Sequence, residues 1–170
     1  MTNVLRAFFC INTAIWLGAG LFLTLVVGPT LFSAELSQVI TRRQAGTVAQ
    51  AILARYFAAQ LVSASVALAG AILARTLGWK WPRLAVPVAV LLVILVAVAG
   101  FGLQPKMHAW NERRYAATPG STEEQTAKKQ FGLLHGFAQL GNLIVLVGVA
   151  FHGTQQMTAF GIPSAKPASD

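Results

Sequence analysis

Met107, His108 and His135 are the residues of this chain whose types could do chemistry together. Thioether and imidazole are both ligands that copper accepts, so a soft-metal site is one reading of the trio. Met107 and His108 lie just beyond an apolar run that ends at Gln104, and His135 lies near the start of the next run, at Phe131. The trio would then converge on one membrane face, with Tyr56 beside it, while His152 belongs to the opposite face. Haem ligation by His135 is a further reading, but a bis-imidazole haem takes ligands at matched depth on facing helices, and His108 is outside its run. No CxxC-like spacing and no acidic cluster accompanies the histidines.

Catalytic constellations are missing from the sequence. There is no Ser-His-Asp set, no HExxH and no glycine-rich phosphate loop, and no Asp or Glu lies inside an apolar run. The expectation is a non-enzymatic protein. A proton-coupled carrier of familiar type is also disfavoured, because such carriers use intramembrane carboxylates as relays.

A second set of polar residues sits where apolar ones would be routine. In FGLLHGFAQLGN, residues 131–142, the side chains of His135, Gln139 and Asn142 fall within a narrow arc at about 100° per residue. Tyr56, Gln60 and Ser63 repeat that geometry two runs earlier, and Asn12, Trp16 and Ala19 offer a lesser version in the first run. Facing lipid would be costly, so these stripes are expected to point inward as interhelical ties, each hydrogen bond contributing roughly 0.6–2 kcal/mol.

The elements that must position these residues follow from composition. Of 170 residues, 55% are hydrophobic and 11% charged, and the mean hydropathy is +0.61. Four segments free of Asp, Glu, Lys and Arg, at 7–32, 56–74, 84–104 and 131–152, are long enough to cross a hydrocarbon layer of about 30 Å as helices. The first is too long for a signal-peptide core and is read as a permanent span. Cys10 lies within it, which leaves no disulfide framework. The expected fold is all-α, a polytopic four-transmembrane-helix bundle forming one membrane domain over 1–160, with a flexible tail at 161–170.

Residues 33–53 alternate with helical periodicity and suit an amphipathic interfacial segment in the first loop. Gly28-Pro29 and Pro105 mark points where the first and third helices can stop or kink. Ser121 with Glu124 three residues on predicts a capping box that starts the last helix. A faint repeat lays YFAAQLVS of the second run on HGFAQLGN of the fourth, pairing spans one and two with spans three and four.

The net charge of +8 is not a nucleic-acid footprint, because the basic residues sit at span ends rather than on one face. Anionic lipid headgroups are the expected partners, along with other membrane subunits or a second copy of the chain. Eight of the thirteen Lys and Arg residues fall in the first and third loops, so those loops are expected on the cytoplasmic side of a bacterial inner membrane, with both termini outside.

Trp16-x-Gly18, Gly28-Pro29-Thr30-Leu31-Phe32, Tyr56-Phe57, Gln104-Pro105-Lys106-Met107-His108 and Phe131-x-x-Leu134-His135 with Asn142 together resemble the transmembrane protein 205-like family of small four-span proteins. The resemblance implies a four-helix architecture and a loose similarity to copper resistance D proteins, with Met107, His108 and His135 at the positions that would carry metal handling. The leading expectation is a structural or accessory component of a membrane complex. Soft-metal or small-solute binding and transport is the alternative, and a haem-binding electron-transfer subunit the second.

Overall fold

A computed structural model describes residues 2–79 and 81–159. Lys80, Lys166 and the tail expected at 161–170 lie outside the described residues. Four long helices account for nearly all of the rest: α1 (Asn3–Leu31), α2 (Arg42–Thr76), α3 (Ala85–Ala116) and α4 (Thr122–Ala159). All four are long and apolar enough to cross a membrane, and the described residues contain no strand. The protein is a four-helix membrane bundle.

The prolines do not end their helices. Leu23–Val27 and Val98–Leu103 are π-helical, and Pro29 and Pro105 follow directly behind them. Gly28 N–H bonds to the carbonyl of Leu23, five residues back, and Gln104 N–H bonds likewise to Ala99. A proline cannot donate and its ring crowds the carbonyl four residues earlier. The widened turn absorbs that conflict, so α3 runs on to Ala116 instead of stopping.

The amphipathic stretch at 33–53 is divided by a cap. A short 3-10 turn at Leu36–Gln38 is followed by Thr41, whose hydroxyl accepts the Gln44 N–H at 3.3 Å, while the Gln44 side-chain oxygen accepts the Thr41 N–H at 2.8 Å. That reciprocal pair starts α2 at Arg42 and makes the second half of the stretch continuous with the membrane helix. At α4 the Ser121 hydroxyl accepts the Glu124 N–H, and the Glu124 carboxylate reaches one residue further back, to the Gly120 N–H at 2.7 Å. Gly120 adopts φ +80°, which a side chain would resist.

The first half of α3 packs along α2, its second half packs along α4, and α1 lies against both α4 and α2. Trp16, Ala64, Ala67, Leu92, Val96, Val145 and Val149 form the central core, drawn from all four helices. Small residues set the helix separations. A Cβ on Gly70 would come within 2.7–2.9 Å of the Phe9 ring, and one on Gly148 within 2.8 Å of Leu92.

Three helices continue past the apolar layer on the side of the first and third loops. The start of α2, the end of α3 and the start of α4 make a short helical head there, with buried Ala45, Gln50, Met107, Asn111 and Ala127 as its interior. Asn111 and Tyr115 lie against α2 at Gly46, and the Tyr115 hydroxyl donates to the Arg42 carbonyl at 3.3 Å.

Candidate functional site

The polar stripes meet in a single directed chain of hydrogen bonds. Gln60 Nε2 donates to the Tyr56 hydroxyl, Tyr56 donates to Asn142 Oδ1 at 3.2 Å, and Asn142 Nδ2 donates to Thr24 Oγ1 at 2.9 Å. Thr24 in turn donates to the Gly20 carbonyl at 2.8 Å. The chain joins α2, α4 and α1, and a run of donors all pointing one way polarises its members cooperatively. Gly20 makes the junction fit, since a Cβ there would lie 2.5 Å from Leu146 Cδ2 and 2.8 Å from the Tyr56 hydroxyl. Ser63 adds a second tie with its main-chain carbonyl, which accepts from Asn12 Nδ2 at 3.0 Å.

The i, i+4 row Asn12, Trp16, Gly20, Thr24 is therefore the inner face of α1. The sequence reading stopped at Trp16 and turned toward Ala19, which is exposed. Continuing the same four-residue step was the signal that would have found Thr24.

Only Asn142 of the three polar residues in FGLLHGFAQLGN joins this chain. His135 and Gln139 are exposed, and the His135 ring lies on Phe131 of its own helix, with centroids 5.8 Å apart. Depth explains the difference. Asn142 is level with Tyr56, near the end of the apolar part of α2, and His135 is seven residues nearer the head, about 10 Å further out. At that level a polar side chain meets headgroups and water, and inward burial is not required.

Met107 and His108 are successive residues with opposite surroundings. Met107 is 4% exposed and sits with Asn111 inside the helical head, whereas His108, about 100° round the helix, is exposed. The structure places Met107 inward and both His108 and His135 outward. Among the described residues no group of three or more His, Cys, Asp or Glu side chains is arranged to hold a metal ion.

At the opposite end of the bundle lies a polar group that sequence reasoning missed. His152, Gln155 and Gln156 are 0%, 7% and 1% exposed. Both imidazole nitrogens, Gln155 Oε1 and both amide atoms of Gln156 have no hydrogen-bond partner among the described residues. The His152 ring lies against Trp81 at 6.3 Å, and Trp81 stacks on Trp79 at the same spacing. The signal was the i, i+3, i+4 spacing of the three, hidden because both glutamines fall after the apolar run.

The helices, their apolar surfaces and the internal hydrogen-bond chain define a small polytopic integral membrane protein. Residues 11–116 match the domain of unknown function DUF4149, and the chain belongs to that family. The match covers α1 from Ile11 onward, with α2 and α3, and stops before α4. No curated protein and no solved structure matches the chain.

Proposed function

We propose that this protein is a non-catalytic accessory component of a membrane assembly, and that its helical head is the end that docks. The observation that carries the reading is the head itself. About 15–20 Å of α2 and of α3 continue beyond the apolar layer, and Arg42, Arg43, Arg113, Lys128 and Lys129 are exposed on them and on α4. Helices that served only to cross the bilayer would end near its surface. Inside the layer, Tyr56, Asn142 and Thr24 tie three helices together, which suits a scaffold. The resemblance to the transmembrane protein 205-like family, with its compact four-span architecture, supports the same reading. By the excess of positive charge on its loops, the head faces the cytoplasm.

Isolation in a mild detergent tests the proposal. The expected result is a co-purifying membrane or cytoplasmic protein that is lost when Arg113 and Arg114 are both changed to Glu, with the thermal stability of the bundle unchanged. A lone monodisperse species, or a partner indifferent to those substitutions, overturns it.

A further inference from the structure

A cleft lies at the end of the bundle away from the head. It is about 340 Å³ in volume, with Arg75 and Arg83 on its rim, Trp79 and Trp81 along one wall, and Ala71 and Ala85 in its floor. This is near the lower end of the size range of ligand pockets, roughly 300–1,000 Å³.

The backbone builds this cleft deliberately. Gly78, at φ +67°, ends α2. Its N–H bonds to the Arg75 carbonyl at 3.3 Å, and the Trp79 N–H reaches back to the Ala74 carbonyl at 2.9 Å. This double bond pattern is a Schellman cap, and it turns the chain back over the end of α2. Trp79 and Trp81 then stack with their planes 10° apart, and Arg6 of α1 lies over the Trp79 ring at 4.9 Å. Trp81 is backed by the buried His152 ring.

The chemistry of this arrangement is that of an interfacial anion site. Arg75 follows the apolar run of α2 and Arg83 precedes that of α3, so both guanidinium groups stand at headgroup depth beside paired indoles, which favour the same level. Among the described residues no carboxylate pairs with Arg75 or Arg83. A guanidinium presents a planar fork that fits phosphate oxygens, and the alanine floor is apolar where the glycerol and first acyl carbons would lie. We propose that this cleft binds the headgroup of an anionic phospholipid, with Arg75 and Arg83 holding its phosphate and the tryptophans walling its glycerol. The occupant is taken to be a lipid because the site opens at the membrane surface and has an apolar floor.

Native mass spectrometry of the full-length protein released from vesicles provides the test. With equal phosphatidylglycerol and phosphatidylcholine, the wild type should retain phosphatidylglycerol in preference. The double variant Arg75→Gln, Arg83→Gln should lose that retention at least fivefold. The double variant Arg113→Gln, Arg114→Gln removes equal charge at the other end and should retain the lipid as the wild type does. Equal loss in both variants would mean diffuse attraction and overturn the proposal, as would equal retention of the two lipids. Displacement by millimolar inorganic phosphate or glycerol phosphate would overturn the lipid assignment in favour of a small soluble anion. Because the first variant could disturb the turn, its melting temperature is compared with that of Arg75→Lys, Arg83→Lys. The proposal stands only if the lysine pair, equally folded, recovers part of the retention.

Discussion

Asn142 of α4 links two other helices, accepting from Tyr56 of α2 and donating to Thr24 of α1. Asn142→Leu keeps the branching of the side chain while removing both bonds, and should lower stability by about 1–3 kcal/mol, read from unfolding in detergent micelles. In a double-mutant cycle with Tyr56→Phe, a coupling of about 0.6–1.7 kcal/mol is expected. A coupling of zero would show that the contact is geometric and contributes nothing. Gly20→Ala should cost about 1–3 kcal/mol by crowding Leu146 and the Tyr56 hydroxyl, and an unchanged melting temperature would refute that. Tyr56, Gln60 and Asn142 were legible in the sequence because a strong hydrogen-bonding group in an apolar run has few places to go. His135 and Gln139 were not, because periodicity gives an angle around the helix axis and says nothing about depth along the membrane normal.

The same limit operates on elements. Apolar runs reveal that four helices cross the membrane, yet they do not show where the helices end, since the extensions into the head carry ordinary polar composition. Prolines gave the opposite difficulty, because Pro29 and Pro105 mark points where a helix can stop or kink, and the π turns before them let the helices continue. A π turn followed by a proline occurs in both α1 and α3, with the prolines 76 residues apart, whereas the faint repeat runs at an offset of 79. It does not extend to side chains: Gln60 is buried in the hydrogen-bond chain while its counterpart Gln139 is exposed. The head depends on α2 starting at Arg42, and Thr41 sets that start. Thr41→Ala should cost about 1 kcal/mol of local stability. The measurement is amide hydrogen exchange, with faster exchange expected over the first turns of α2, through Ala45, and none of the change reaching Gln60. Uniform acceleration along α2 would show that the cap stabilises the whole bundle rather than its end.

At the scale of the molecule the two ends of the bundle differ in kind. One carries the helical head, whose basic side chains stand on helix exteriors. The other carries the single connection between α2 and α3, a cleft rimmed by Arg75 and Arg83, and the buried His152, Gln155 and Gln156. Asn3 and Ala159, the outer ends of α1 and α4, lie at that second end. The positive-inside rule acts on basic residues near span ends, and the head and the loops it joins hold eight of the thirteen. The head should therefore remain in the cytoplasm while the cleft faces outward. Single cysteines placed in a Cys10→Ser background decide this. Thr118→Cys reports on the loop between α3 and α4, and Leu77→Cys on the turn after α2, and both positions are exposed. With a membrane-impermeant maleimide, intact cells should label Leu77→Cys, and Thr118→Cys should label only after lysis. The reverse pattern would place the arginine cleft in the cytoplasmic leaflet and leave the head unable to meet a cytoplasmic partner. The docking proposal would then have to move to the opposite side of the membrane, whereas the lipid site would survive with its leaflet exchanged.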